Sequence, residues 1–188
     1  MRLTPKELLF LFAIGAAGGL VGDAGNVQSG ATRYLDRSVP FVWESALWFP
    51  LLVGLATAGT GELRLRLAPP RPGFDLREGL GAIAAVVGLY ALTSIAGDDG
   101  TESVALLAAL AVLTACVLAD GRPAIICGLV AALVGPLVEI AIVELEWSAY
   151  SPSNDSLFGV AMWLPPLYFA FGVAVARITE VLVARRQL

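Results

Sequence analysis

The sequence predicts an all-α polytopic membrane protein, a bundle of six transmembrane helices with both termini on the cytoplasmic side. Three observations support this: an apolar composition, six apolar segments of membrane-spanning length, and basic residues that alternate between the connecting loops. The 188 residues are 57% hydrophobic and 15% charged, with a mean hydropathy of +0.79. A soluble domain is about 45–50% apolar and about 25% charged. The chain therefore has too little polar surface to cover a soluble globule.

Six segments have the roughly 17–25 mostly apolar residues that a helix needs to cross the hydrocarbon core. These predicted helices cover residues 8–27, 42–61, 79–95, 103–119, 124–143 and 157–175. Because apolar runs recur along nearly the whole length, we predict that residues 1–188 form a single six-helix transmembrane domain. Four prolines lie inside the segments, where we expect them to kink the helices: Pro50, Pro136, Pro165 and Pro166.

The basic residues predict the orientation, because Lys and Arg in short loops stay on the cytoplasmic side of a membrane. Of the 12 basic residues, only Arg33 and Arg37 fall on the predicted outer side, in the first loop. The other ten occupy the N-terminal segment, the second-to-third loop, the fourth-to-fifth loop and the tail: Arg2, Lys6, Arg64, Arg66, Arg71, Arg77, Arg122, Arg177, Arg185 and Arg186. The alternation places both termini in the cytoplasm, and five or seven helices would destroy it.

Several classes of function are disfavoured by composition. The formal net charge of −4 and the isoelectric point near 4.8 argue against a nucleic-acid partner, which would need clustered Lys and Arg. Histidine is absent, and Cys116 and Cys127 lie in apolar runs without metal-binding spacing. No hydrolase, metalloprotease or nucleotide-binding motif is present. We therefore predict no catalytic residues, no metal and no cofactor.

Glu139 is the one carboxylate that we place well inside an apolar segment, near the outer end of the fifth helix. A charge at such depth costs at least ~2.5–3.5 kcal/mol on insertion scales, so these residues usually face the bundle interior or water. Two interpretations stay open: Glu139 lines a polar pocket, or it is solvated at the surface beside Glu144 and Glu146. Trp48 and Trp163 each lie just before a proline, which would open a space between helices, although an interfacial aromatic belt also explains them.

Small residues repeat at four-residue spacing in the first helix, as the pairs Gly15/Gly19 and Gly18/Gly22. Such pairs let helix backbones approach closely in lipid. They would form either a homodimer face or a packing surface within one bundle. With five other helices available, we favour packing within the bundle, and a homo-oligomer stays an alternative.

Several motifs occur in the order found in the insulin-induced gene (Insig) family, and the chain resembles that family over its whole membrane region. The first is Ser45-Ala46-Leu47-Trp48-Phe49-Pro50, followed by Gly54. The second is Trp163-Leu164-Pro165, followed by Phe169, Gly172 and Val175. Further similarities are Tyr150-Ser151-Pro152, the polar end of the first helix at Asn26 and Gln28, and Asp120 after the fourth helix.

The resemblance implies a non-enzymatic six-helix protein with cytoplasmic termini. Insig proteins bind oxysterols and retain sterol-sensing partner proteins in the endoplasmic reticulum. Asp120 matches the family's partner-binding Asp, and Ser103 falls where the family has a Gln of the sterol site. The sequence departs from the family there, at Cys116-Val117 in place of Trp-Trp, and at Gly121 in place of Arg.

The leading hypothesis is therefore a non-catalytic protein that binds a hydrophobic lipid, a sterol or a diacyl glycerolipid, in a cavity that opens laterally between its helices. The candidate lipid-binding residues are Trp48, Pro50, Ser103, Glu139 and Trp163, and the candidate partner-binding residue is Asp120. The alternative is a small membrane transporter or a lipid-modifying membrane enzyme that uses Glu139. Ala, Gly and Arg are abundant and Lys6 is the only lysine, which is typical of a high-GC bacterial genome. We therefore expect a bacterial plasma-membrane protein, located in the endoplasmic reticulum only if it is eukaryotic.

Overall fold

The structure, a computed structural model, describes residues 2–35, 39, 42–70, 75–96, 98 and 100–184. These residues form six α-helices and one two-stranded sheet. In chain order the elements are α1 (Pro5–Ser29), β1 (Thr32–Tyr34), α2 (Trp48–Leu67), α3 (Leu76–Ala96), α4 (Thr101–Leu118), α5 (Arg122–Glu144), β2 (Ser148–Tyr150) and α6 (Leu164–Ala184). Four arginines of the charge count lie outside the described residues: Arg37, Arg71, Arg185 and Arg186.

Five of the helices in the described part of the chain are long and apolar enough to cross a membrane: α1, α3, α4, α5 and α6. The second helix does not reach that hydropathy, because its C-terminal third carries Glu62, Arg64 and Arg66. The all-helical fold is thus confirmed. The sixth span and the cytoplasmic placement of the termini remain predictions.

Two helices begin later than the hydropathy indicates, at Trp48 and Leu164 rather than at residues 42 and 157. The cause is proline. Pro50 and the pair Pro165 and Pro166 lie in the first turns of α2 and α6, where a backbone N–H has no intrahelical acceptor to lose. The prediction that these three prolines kink helix interiors is wrong.

Pro136 is the proline that does lie inside a helix, α5. It removes the amide that would bond to the carbonyl of Ala132, four residues earlier. The helix nevertheless continues for two further turns to Glu144.

Successive helices run in opposite directions, so the bundle has two distinct ends. At one end β1 pairs with β2 in antiparallel register, with Thr32 opposite Tyr150, and this sheet joins the α1–α2 and α5–α6 connections. We call it the sheet end. At the opposite end, the arginine end, the Arg177 Nε donates to the carbonyl of Leu118 at 3.0 Å and links α6 to the last turn of α4.

The arginine end contains a buried ion pair between Arg64 of α2 and Glu180 of α6, and each residue is only 1% exposed. Arg64 also donates to the carbonyl of Ala68 at 3.0 Å. The predicted helices end at residues 61 and 175, which leaves Arg64 in a loop and Glu180 beyond the sixth helix. Both helices continue past those points, so both charges lie inside the bundle and pair with each other.

The glycines of α1 pack inside the bundle, as favoured from the sequence. A Cβ atom on Gly19 would lie 2.8 Å from the Cβ of Val53 in α2, and one on Gly15 would lie 3.1 Å from the Val53 carbonyl oxygen. The ring of Tyr90 from α3 fills the space that a Cβ atom on Gly22 would need. These positions allow α2 and α3 to approach α1 closely.

Candidate functional site

A cavity of about 340 Å³ lies between α1, α2, α3, α5 and α6, whereas α4 contributes no lining residue. Ligand pockets span about 300–1,000 Å³, so this volume is at the lower end of that range. The wall is almost entirely apolar, with residues such as Val53, Val86, Val134, Leu167 and Phe171. The bundle therefore encloses a space suited to a hydrophobic molecule.

Glu139 closes this cavity at the sheet end and is 6% exposed. The hydroxyl of Tyr168 donates to Glu139 Oε1 at 2.9 Å, and the hydroxyl of Tyr150 donates to Oε2 at a long 3.4 Å. Burial raises the pKa of Tyr150, and the charge of Glu139 raises it further, so this phenol stays protonated and continues to donate. Gly135 makes the arrangement feasible, because the Tyr168 ring occupies the space where a side chain at that position would begin.

Asp23 of α1 is a second buried carboxyl at the sheet end, 4% exposed. It accepts hydrogen bonds from the hydroxyl of Tyr34, at 2.7 Å, and from the hydroxyl of Ser45. Burial and the nearby Asp23 both raise the pKa of Tyr34, which keeps that hydroxyl a donor. The sequence-based view of Glu139 as the one carboxylate at depth is therefore wrong. Asp23 lies within the predicted first helix, and a carboxylate inside a membrane span was the signal that would have found it.

A polar contact also joins α1 to α3 near this carboxyl. Asn26 Nδ2 donates to Thr93 Oγ1 at 2.9 Å, and Asn26 is 1% exposed. The contact lies one helical turn beyond Gly22, where the Tyr90 ring packs against α1. The same arrangement occurs on α1 and on α5, because in each helix a glycine makes room for a tyrosine ring and a polar residue follows four positions later. On α1 that residue, Asn26, bonds to α3, and on α5 that residue, Glu139, bonds to the hydroxyl of the tyrosine itself.

A small polar pocket of about 20 Å³ adjoins the main cavity, and Phe49, Tyr90 and Glu139 line both spaces. Its volume is about that of a single water site. The pocket is otherwise lined by residues from the sheet, the two adjoining loops and the helix ends: Asp23, Asn26, Thr32, Tyr34, Trp48, Ser148, Tyr150 and Trp163. Among the described residues, the buried Oγ1 of Thr32 has no hydrogen-bond partner. The polar end of the cavity therefore has room for one small polar group.

Three of the candidate lipid-binding residues come together at this end. Trp48 and Trp163 line the small polar pocket, and Glu139 lies between that pocket and the main cavity. The indole of Trp163 is 1% exposed and donates to Asn154 Oδ1 at 3.2 Å, while the ring of Trp48 packs edge-on against Tyr34 with centroids 5.5 Å apart. These two tryptophans are thus part of the packed sheet end.

The remaining candidates lie elsewhere. Pro50 is buried in the first turn of α2 and Ser103 lies in the first turn of α4, and neither lines either cavity. Asp120 follows α4 at the arginine end, half-buried and away from both cavities. In the described part of the chain, no three His, Cys, Asp or Glu side chains lie together as a metal site.

No protein-family model matches the chain. An INSIG protein homolog from Mycolicibacterium vanbaalenii is 51% identical to it over 187 residues, which cover 99% of this chain and 91% of the relative. The chain belongs to the Insig family. The crystal structure of the mycobacterial Insig homologue MvINS from Mycobacterium vanbaalenii superposes with a TM-score of 0.94 at 51% identity, covering 99% of this chain and 98% of that one. A cross-linked trimer of an MvINS variant matches equally, with a TM-score of 0.94, 50% identity and the same coverage.

The resemblance found in the sequence is therefore confirmed, and the protein is an integral membrane protein of the Insig family with a bacterial relative. Each of the two main Insig-like motifs supplies a hydrogen bond at the sheet end and the first residues of a helix. In the first, Ser45 provides a hydrogen bond to Asp23 and the following residues begin α2. In the second, Trp163 bonds to Asn154 and Leu164 begins α6. Both Insig-like motifs thus build the sheet end of the cavity.

Proposed function

We propose that this Insig-family protein is a non-catalytic membrane protein that binds a hydrophobic lipid in the cavity between its helices. The observation that carries the proposal is an apolar cavity of about 340 Å³ that ends in the carboxyl group of Glu139. Each oxygen of that group accepts one tyrosine hydroxyl. A carboxylate oxygen has capacity for a second hydrogen bond, so Glu139 is able to accept a further donor from a lipid in the cavity.

The head group of such a lipid is small and uncharged. The polar pocket beyond Glu139 has room for about one water-sized group, which suits a hydroxyl. A phosphate head is too large for this space, and the carboxyl groups of Asp23 and Glu139 disfavour its negative charge. A sterol and, among the diacyl glycerolipids, diacylglycerol both end in a free hydroxyl, so both remain candidates.

Selectivity comes from that head group and from shape. A lipid that enters from the bilayer leaves one hydrocarbon environment for another, and burying its apolar body provides little driving force by itself. A hydrogen bond made inside the bundle replaces one that the head group made at the wet interface. A lipid that lacks a hydrogen-bond donor at the right distance from its apolar body therefore gains little free energy on moving from the bilayer into the cavity.

The protein's setting is part of the same proposal. We propose six spans, with both termini in the cytoplasm of a bacterium and the sheet end facing outward. The cross-linked trimer of the mycobacterial relative supports a homo-oligomer. Asp120, at the opposite end from the lipid head group, would be available to other membrane proteins from the cytoplasmic side.

Mass spectrometry of the lipids that stay with the purified protein tests the proposal. The protein is denatured after gentle detergent extraction, and the released lipids are compared with those of the surrounding detergent–lipid pool. We expect one hydroxyl-ended lipid class to be enriched well above its share of the pool. Bulk phospholipids in pool proportions would contradict lipid binding and favour the transporter alternative.

A further inference from the structure

The cavity wall is breached on one side of the bundle. Nearly all residues that line the cavity are buried or half-buried, but five are exposed. All five belong to two helices: Ala56 and Gly59 of α2, and Val130, Val134 and Val138 of α5. The three valines recur every four residues and are 41%, 49% and 36% exposed, so they form a stripe along one face of α5.

Helix packing explains why the breach lies there. The second helix packs closely along α1, and α5 packs closely along α6, but α2 and α5 touch each other sparsely. Gly54 shows how tight the first contact is, because its Cβ position would lie 2.8 Å from the backbone oxygen of Phe12. Gly59, on the other side of α2, faces open space, since a Cβ atom there would meet nothing within 4 Å.

The breach lies near the middle of the span. Ala56 follows the start of α2 by eight residues, and Val134 precedes the end of α5 by ten, which places them about 12 Å and about 15 Å from the sheet end. Both therefore open onto the hydrocarbon core of a bilayer and away from its polar surfaces.

The two ends of the bundle are closed by well-packed groups. At the arginine end the buried pair of Arg64 and Glu180 holds α2 against α6. At the sheet end, Tyr168 and Tyr150 each donate a hydrogen bond to Glu139, which closes the cavity there. Entry through either end would require these buried polar contacts to separate, whereas the gap between α2 and α5 is already open.

We propose that the gap between α2 and α5 is the portal through which a lipid passes directly between the hydrocarbon core and the cavity. This inference rests on the proposed lipid binding and adds its route. Small residues on α2, Ala56 and Gly59, keep the portal wide. A lipid moving through it keeps its apolar body in hydrocarbon throughout, and only its hydroxyl must travel past the valine stripe to Glu139.

A portal differs from a binding site in what a substitution changes. Narrowing a portal raises the barrier for entry and for exit equally, so exchange slows while the equilibrium amount of bound lipid is unchanged. Filling the cavity itself lowers the amount bound. Measuring both the rate of lipid exchange and the amount of bound lipid on the same protein therefore distinguishes a portal residue from a binding residue.

The experiment uses two portal variants and a matched control for each. Gly59→Trp is compared with Gly88→Trp, because Gly88 of α3 is also exposed, also faces open space and does not line the cavity. Val134→Trp is compared with Leu133→Trp, whose parent side chain is 65% exposed and points away from the cavity. Each protein is reconstituted in vesicles of phosphatidylethanolamine and phosphatidylglycerol that contain diacylglycerol. It is then mixed with vesicles that carry deuterated diacylglycerol, and the same series is run with cholesterol.

Mass spectrometry of the repurified protein follows the appearance of deuterated lipid. We expect either portal variant to slow both the loading and the release of lipid by at least about tenfold, which corresponds to about 1.4 kcal/mol of barrier, with both controls at the wild-type rates. Because Gly59 and Val134 also line the cavity, some loss of bound lipid is compatible with this result, but a damaged binding site would release lipid faster, not slower. Wild-type exchange in a folded portal variant would overturn the portal, as would a lower bound amount at an unchanged rate. Absence of bound diacylglycerol and cholesterol from the wild-type protein would overturn the proposed function itself, and the portal with it. The two variants lie on different helices, so if one of them folds poorly, the other still tests the portal.

Discussion

Tyr168 of α6 donates a 2.9 Å hydrogen bond to Glu139 of α5, within one helical turn of the proline that interrupts the backbone ladder of α5. The ring of Tyr168 lies over Gly135, so ring and hydroxyl together fasten α6 to α5 at the point where α5 has lost a backbone hydrogen bond. The same bond orients the carboxyl group over the end of the apolar cavity. One contact thus supports the fold and presents the polar group that a lipid would meet.

The first prediction concerns the charge at position 139. We expect Glu139→Gln to fold and retain lipid, because an amide oxygen still accepts from Tyr168 and the amide group still bonds to a lipid hydroxyl. Glu139→Lys should lose lipid or unfold, because it buries an ammonium group at the end of an apolar cavity. Lipid retention and the midpoint of thermal unfolding measure both effects.

The same pair of variants tests the alternative function. A proton-coupled transporter or an acid–base enzyme needs a group that exchanges a proton, so Gln would abolish its activity. If both variants bind lipid as the wild type does, Glu139 does not contact the lipid head.

The second prediction concerns the buried ion pair of the arginine end. Arg64→Met leaves Glu180 buried without its partner, and such single removals cost about 3–5 kcal/mol. We expect the double variant Arg64→Met with Glu180→Met to be markedly more stable than either single variant, because no charge is left uncompensated. Thermal unfolding in detergent measures the coupling, and a double variant whose losses simply add would contradict it.

Hydropathy predicted the number of helices and most of their bounds, because long apolar runs leave the chain few alternatives in a bilayer. It failed at the starts of α2 and α6, where an apolar stretch before a proline resembles a helix but forms a loop, the one that carries Ser45 or the one that carries Trp163. The predicted ends of these two helices also fall too early, so Arg64 and Glu180 lie beyond them, although both residues are buried inside the bundle.

The site was predictable in part. Glu139 was found because a carboxylate inside an apolar run is costly. Its partners were not, because the sequence does not specify that Tyr150 and Tyr168, 18 residues apart, meet the same carboxyl group. Ser103 is predicted only from its position in the family pattern, and α4 lies outside the cavity wall. Contacts between distant segments depend on how helices pack, which local pattern alone does not determine.

The third prediction concerns topology. Pro69 follows α2 and Ser153 follows β2, and both are exposed. In a background of Cys116→Ala and Cys127→Ala, we expect Pro69→Cys to react with a membrane-impermeant maleimide only from the cytoplasmic face, and Ser153→Cys only from the outer face. The bias of ten basic residues against two is the reason. Labelling of both cysteines from one face would contradict a six-span protein.

The fourth prediction concerns the position of the lipid and uses two neighbouring alanines of α5. Ala131 lines the cavity, whereas Ala132, equally half-buried, does not. A phenylalanine at position 131 fills part of the space that a lipid would occupy. The measurement is the amount of hydroxyl-ended lipid retained per protein, determined by mass spectrometry for the wild type, Ala131→Phe and Ala132→Phe. We expect Ala131→Phe to retain lipid about tenfold less tightly than the wild type, equivalent to about 1.4 kcal/mol, and Ala132→Phe to match the wild type. Equal retention by all three folded proteins would contradict a lipid site in this cavity.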